Sequence, residues 1–118
     1  MSGTTGPSSF PTKVLRLTGV TANTTAEIPA GNALLAVLVE NTTANAVTGG
    51  VKFGTTAGGA DVVVALTVGA SVLTFVADAA LLKRLFSMSS AQTLHIQAVI
   101  AWNSANLNIN FVLANLNQ

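Results

Sequence analysis

Short apolar runs, each soon closed by Gly, Pro, Asn or Ser, are the feature that most restricts how this chain can fold. The runs are rich in Val, Ile and Thr, which favour strands over helices. They occupy residues 13–20, 24–28, 33–40, 47–53, 61–68, 72–76, 93–102 and 107–113. The sequence shows no alternation of strands and helices, so a parallel sheet is not expected. We therefore predict an all-β fold, an antiparallel β-sandwich of jelly-roll type with seven or eight strands.

The internal pattern of the runs predicts which side chains face the core. Residues 33–40 (ALLAVLVE) are almost continuously apolar, as expected for a strand buried on both faces. The last two runs alternate instead, so their apolar side chains should point inward. The inward series are Leu94, Ile96, Ala98, Ile100 and Trp102, then Leu107, Ile109, Phe111 and Leu113. These two strands are predicted to form a hairpin through residues 103–106.

Residues 79–88 depart from the strand pattern. Leucine and phenylalanine recur there at three- and four-residue spacing, with Lys83 and Arg84 on the other side. This spacing predicts one short helix of about two turns. Residues 49–50, a Gly-Gly pair, predict a bulge that weakens the run around them.

The amino-terminal residues 1–12 are rich in Gly, Ser, Thr and Pro. Pro7 and Pro11 disfavour both a helix and a central strand, so we predict an extended arm over residues 1–12. It would lie across a neighbouring molecule or wrap around its own domain. Residues 13–118 then form a single β-sandwich domain, a size that suits one hydrophobic core.

Charged residues are scarce, at 8% of the chain, against about a quarter in an ordinary soluble domain. The net charge of +1 provides no field to attract nucleic acid or an anionic membrane. A surface with so few charges is poorly protected against association. We therefore expect a homo-oligomer and no nucleic-acid or membrane partner.

Membrane insertion and secretion are not expected from the sequence. A spanning helix needs about 20 consecutive apolar residues, and the best runs, 33–39 and 62–68, are much shorter. The first residues show no basic segment followed by an apolar core, so no signal peptide is expected. Synthesis in the cytoplasm is the corresponding expectation.

The supply of catalytic groups is small: one His, four carboxylates, no Cys and no Tyr. His95 has no neighbouring ligand type that would complete a metal site, so we interpret it as an exposed or interface residue. The carboxylates fall beside predicted turns, where they usually accept hydrogen bonds from backbone amides. The Gly-rich stretches 48–50 and 54–59 lack the Lys-Ser/Thr of a phosphate loop. We predict no enzyme activity and no cofactor.

Two aromatic residues near the carboxyl end, Trp102 and Phe111, leave one alternative open. If exposed, they could stack on sugars, as in a lectin-like module. Each belongs to an apolar series, however, so packing in the core is the favoured interpretation.

Residues 28–61, IPAGNALLAVLVENTTANAVTGGVKFGTTAGGAD, carry a resemblance to a known class of proteins. They resemble the small β-sandwich modules on the virions of tailed bacteriophages. Those modules often show an I-P-A-G turn, an apolar strand, a polar loop and then V-x-x-G-T-T-x-G-G-A-D. The resemblance extends loosely over residues 13–113. It implies a capsid decoration, head-fibre or related surface protein, frequently trimeric, and it implies no catalytic residues.

The sequence thus favours a non-enzymatic virion protein that binds and reinforces a capsid shell, through self-association and contacts with the major capsid protein or another virion protein. A receptor- or glycan-binding module of a head or tail fibre is the alternative. Candidate partner contacts are Phe10 and Pro11 in the arm, with His95 and Gln97 on the polar side of their strand.

Overall fold

The structure, a computed structural model, describes residues 11–116. Within that range the strands are β1 (Thr12–Val20), β2 (Thr24–Ile28), β3 (Asn32–Asn41), β4 (Val51–Gly54), β5 (Val63–Leu66), β6 (Leu73–Val76), β7 (Phe86–Ser87), β8 (Gln92–Ala98) and β9 (Leu107–Asn115). Thr12, assigned to the arm from the sequence, is the first residue of β1 and pairs with Ala114. Pro11 of the predicted arm precedes β1, and residues 1–10 lie outside the described residues.

The strands form two antiparallel sheets. The five-stranded sheet has the order β1-β9-β3-β6, with β7 also paired to β3, and the four-stranded sheet has the order β2-β8-β4-β5. The strand pairs are nested in chain order: β4–β5 lies within β3–β6, which lies within β2–β8, which lies within β1–β9. Distributing these nested pairs over two sheets produces a jelly roll. The predicted all-β antiparallel sandwich is confirmed.

The core lies between the sheets and is built from the inward series of both. Four alternate residues of β9, Leu107, Ile109, Phe111 and Leu113, have no exposed surface. Phe111 meets Phe53 of the opposite sheet edge-on, with ring centroids 6.1 Å apart and planes at 87°. This is a favourable aromatic geometry and it ties the two sheets together. The predicted inward placement of Phe111 is confirmed.

The predicted hairpin between the last two runs is wrong. β8 pairs with β2 and β4 in one sheet, whereas β9 pairs with β1 and β3 in the other. β8 ends at Ala98, so Ile100 is exposed and Trp102 is only partly buried. The alternating pattern predicts which side chains face inward. It does not show whether two strands are hydrogen-bonded neighbours in one sheet or lie in opposite sheets of the sandwich.

The predicted helix over residues 79–88 is also wrong. Only a single turn forms, in which the carbonyl oxygen of Asp78 accepts hydrogen bonds from the amides of Leu81 and Leu82, both at 2.8 Å. The chain then runs on as an irregular segment into β7. In the described part of the chain, no helix is long and apolar enough to cross a bilayer.

The segment forgoes a helix because its backbone joins both sheets. The amide of Lys83 donates to the carbonyl of Val62 beside β5, and the carbonyl of Leu85 accepts from the amide of Leu34 in β3. A helix over residues 79–88 would use the amide of Lys83 internally, in a bond to the carbonyl of Ala79. Leu82 and Leu85 are buried and close the side of the sandwich between β5 and β3. Burial against two sheets therefore outweighs the helical spacing.

The I-P-A-G motif forms the turn between β2 and β3. The amide of Asn32 donates to the carbonyl of Pro29 at 3.2 Å. Gly31, the third residue of the turn, has a φ of +78°. This arrangement matches a type II turn, which requires glycine or asparagine at that position. The carbonyl of Gly31 then accepts from the amide of Leu116 at 2.7 Å, which ties the turn to the residue after β9.

The G-T-T-A-G-G-A-D motif forms the loop between β4 and β5. The backbone at Gly54 passes so close to the backbone at Gly59 that a Cβ atom on Gly54 would lie 2.4 Å from the carbonyl carbon and oxygen of Gly59. Asp61 closes the loop through hydrogen bonds with Thr55. The residues of the motif therefore serve to close this loop.

Candidate interaction surface

The outward surface of the five-stranded sheet is largely apolar. Residues that oppose each other in an antiparallel register project from the same face. Three outward rows follow: Val14–Val112–Ala36, then Arg16–Asn110–Leu38–Phe75, then Asn108–Glu40–Leu73. Phe86 of β7 lies opposite Ala33 and extends the same surface. We call the side chains Val14, Leu38, Leu73, Phe75, Phe86 and Val112, with the polar residues between them, the apolar face.

The apolar face is open to solvent in the single chain. Val14 is 59% exposed, Leu73 63%, Phe75 60% and Phe86 42%. Leu38 and Val112 lie between them and are partly buried. Scattered exposed apolar residues are ordinary, but a contiguous apolar surface marks an interaction site.

Two charged side chains lie in these outward rows, and each contacts an asparagine of the central strand β9. Arg16 Nη1 donates to Asn110 Oδ1 at 3.1 Å, and Asn108 Nδ2 donates to Glu40 Oε1 at 3.1 Å. Arg16 lies on the edge strand β1, and Glu40 lies on β3. The apolar face therefore has a positive site on one side of β9 and a negative site on the other.

The outward surface of the four-stranded sheet is polar by contrast, and we call it the polar face. Its register places Thr25, Glu27, Lys52, Thr93, His95 and Gln97 outward. Thr93 Oγ1 donates to Glu27 Oε2 at 2.6 Å across β8 and β2. Val64 on the edge strand β5 is an exposed apolar exception. The two faces of the sandwich thus differ sharply in chemistry.

The candidate contact residues are divided between the two sheets. His95 and Gln97 lie on the polar face and are partly buried. Pro11 is exposed and immediately precedes β1, and its carbonyl accepts from the amide of Asn115 at 2.8 Å. Phe10 lies outside the described residues. The structure therefore does not gather Pro11, His95 and Gln97 into one surface.

The sequence does not identify the apolar face, because outward apolar residues on a strand give the same pattern as residues buried in the core. The apolar run 33–40 predicts burial on both faces, but this is wrong for its outward side. Leu34, Val37 and Val39 point inward and are fully buried, whereas Leu38 is partly buried and Glu40 is exposed. Continuous apolar runs are typical of strands that are covered on both sides. The single chain covers only one side of β3.

The carboxylates near turns accept hydrogen bonds from the backbone. Asp78 Oδ1 accepts from the amide of Ala80 at 2.9 Å, and Asp61 Oδ1 accepts from the amide of Thr55 at 2.8 Å. The hydrogen bonds from the Thr55 hydroxyl and amide hold the pKa of Asp61 below its ordinary value. Among residues 11–116, no three His, Asp or Glu side chains cluster as metal ligands would.

Trp102 packs partly against the core and partly on the surface. Its indole Nε1 donates to Asn23 Oδ1 at 2.7 Å. Asn23 belongs to an open cleft lined by residues 17–24, at the turn between β1 and β2. Phe111 is fully buried, so of the two aromatic residues only Trp102 is placed to contact a ligand.

No protein-family model matches this sequence, and comparisons with curated proteins and with solved structures found no match. The function is therefore inferred from the residues of this chain.

Proposed function

We propose that this protein is a non-enzymatic structural protein of a virion, which binds the surface of a capsid shell and reinforces it by self-association. A trimer is the copy number that the sequence resemblance favours. The major capsid protein, or another virion protein, is the proposed partner. The proposal involves neither a cofactor nor nucleic acid.

The apolar face is the observation that carries the proposal. β3 has the continuous apolar sequence of a strand covered on both sides, yet no second sheet lies against its outward side, where Leu38 is partly buried and Glu40 is exposed. Phe75, Leu73 and Val14 are each more than half exposed on the same surface. Burying such side chains is favourable by about 25 cal/mol for each Å² of apolar surface. A subunit that functions inside an assembly would bury them.

The polar face is the surface proposed to meet the shell. It offers Lys52, Glu27, His95 and Gln97, the mixture of donors and acceptors that is typical of the polar parts of protein interfaces. The arm, with Phe10 and Pro11, is a second proposed contact. Separate surfaces for copies and for the shell would let one small domain reinforce a lattice.

The test is binding to capsid shells purified without this protein from the phage that encodes it. We expect the wild-type chain to sediment with the shells and to raise the temperature at which they break. The double variant H95A/Q97A should sediment less, and Ser89→Ala, at an exposed position in the loop between β7 and β8, is the control. Wild-type protein that stays in the supernatant would contradict the proposal.

A glycan-binding role on a fibre is the second candidate, favoured by Trp102 beside the cleft at residues 17–24. The chain contains one tryptophan, so indole fluorescence reports on this site alone. Binding of an oligosaccharide should change the emission of the wild type and not of Asn23→Ala. An unchanged spectrum across a panel of bacterial surface glycans argues against this role.

A further inference from the structure

The two charged side chains of the apolar face, Arg16 and Glu40, are too far apart in one chain to form a salt bridge with each other. Arg16 and Glu40 lie two strands apart, on either side of β9. With strands about 4.8 Å apart and outward rows about 7 Å apart, their Cα atoms are roughly 12 Å apart. Each side chain is held instead by an asparagine of β9, Asn110 for Arg16 and Asn108 for Glu40.

A surface that carries one positive and one negative site within an apolar field is complementary to a copy of itself. The asparagines restrict the two charged side chains before binding, which lowers the entropy lost when a pair forms. A partner of different sequence would have to match both charges by chance, whereas a second copy supplies both automatically.

We propose that the apolar face binds a second copy of this chain, with Arg16 of one copy against Glu40 of the other. This inference rests on the self-association in the proposed function and assigns it a surface and a charge pair. Because the same face is used by both copies, the contact is two-fold, and the proposed assembly is a dimer in place of the trimer that the resemblance favours. The apolar side chains Val14, Leu38, Phe75 and Val112 are then buried between the copies, and the polar face stays free.

The available area agrees with such a contact. Four strands span about 19 Å, and nine residues of a strand span about 31 Å, so the face projects roughly 600 Å². A standard interface buries about 800 Å² on each partner. The face is therefore about three quarters of the standard size, which is of the order that a stable contact needs.

The test is a charge swap read out as molar mass by light scattering over a dilution series. We expect Arg16→Glu and Glu40→Arg each to weaken association about tenfold or more, because each places like charges together. The double variant R16E/E40R should restore it, as should mixing the two single variants. Lys52→Glu and Glu27→Arg, the same changes on the polar face, are the controls and should leave the mass unchanged.

A second pair of variants tests the apolar contact without touching the charges. Phe75→Asp should dissociate the copies, and Val64→Asp, at a more exposed position on the other sheet, should not. Circular dichroism checks that both variants remain folded. A wild-type monomer at all concentrations, or association that survives both Phe75→Asp and Arg16→Glu, overturns the inference.

The result is separable from that of the shell assay. Copies that associate through the apolar face but do not bind shells would support this inference and contradict the proposed function. A monomer whose Phe75→Asp variant fails to bind shells would show that the face docks on the shell instead; it would overturn the inference and the self-association in the proposed function, and would support its shell binding.

Discussion

The carboxylate of Asp61 binds Thr55 twice: Oδ1 accepts from the amide nitrogen at 2.8 Å, and Oδ2 accepts from the hydroxyl at 2.7 Å. The two residues stand at the two ends of the loop that connects β4 to β5. Their bonds therefore hold the loop closed where Gly54 passes Gly59. Hydrogen bonds to the ionised carboxylate favour it over the protonated form, which lowers the pKa of Asp61.

The first prediction concerns the pH dependence of this loop. Because the pKa of Asp61 is lower in the folded chain than in the unfolded chain, its stabilising effect is present at neutral pH. It fades as the pH falls below about 4, the ordinary value for Asp, and is lost below the folded-state pKa. Carboxyl NMR titration should give a pKa for Asp61 below the ordinary value. Thr55→Val should raise that pKa, whereas Thr25→Val, on β2, should leave it unchanged.

The second prediction concerns the close backbone contact at Gly54. Alanine there would place its Cβ 2.4 Å from backbone atoms of Gly59, so the loop must shift. We expect Gly54→Ala to lower the free energy of unfolding by about 1–3 kcal/mol, the usual cost of overpacking. Gly69→Ala is the control, since its Cβ would meet Val72 at an ordinary 3.6 Å. Equal denaturation midpoints for the two variants would contradict the steric explanation.

The third prediction concerns the core contact between Phe111 and Phe53. Phe111 is fully buried, so Phe111→Ala should lower the free energy of unfolding by about 3–5 kcal/mol. In a small domain this is a large part of the total stability. Phe75→Ala removes the same atoms from an exposed position and should change the stability of the dilute chain by about 0.5 kcal/mol or less. A denaturation midpoint that does not move for Phe111→Ala would overturn the inward placement.

The fourth prediction separates the observed irregular segment from the helix suggested by its sequence. Leu82 is 1% exposed and its neighbour Leu81 is 63% exposed. Leu82→Ala should therefore cost about 2–5 kcal/mol of unfolding free energy, and Leu81→Ala about 0.5 kcal/mol or less. The adjacent leucines form a matched pair, measured by urea denaturation. Similar losses for both variants would contradict the observed packing.

The sequence predicts the strands and the inward residues well because both depend on local periodicity. The run 24–28 coincides with β2, and the alternation at residues 107–113 orients Phe111 correctly. It does not predict which strands pair. The alternation of residues 93–98 would suit a hairpin with β9 equally well, and only the nested jelly-roll pairing assigns β8 to the other sheet.

The candidate surface could not be predicted for a related reason. An apolar residue such as Leu38 has the same signature whether its outward side faces a second sheet or a second molecule. Likewise, the leucines around Leu82 have helical spacing, but their burial depends on the distant backbone groups of Val62 and Leu34. The positions of the charged residues along the sequence do not reveal this surface either, because nothing near Arg16 or Glu40 in the sequence shows that the two lie on one face.

The last prediction concerns the amino-terminal segment. Deleting residues 2–10 leaves β1 complete, because Thr12 already pairs with Ala114 and the carbonyl of Pro11 binds the amide of Asn115. We therefore expect the shortened chain to keep its melting temperature at high dilution, where copies are separate. Its binding to capsid shells should weaken, since the segment would lie across a neighbouring molecule. Phe10→Ala in the full chain should reproduce part of this loss if Phe10 is a contact, and Ser9→Ala is the control. If the shortened chain instead loses most of its thermal stability while diluted, the segment stabilises its own domain rather than the assembly.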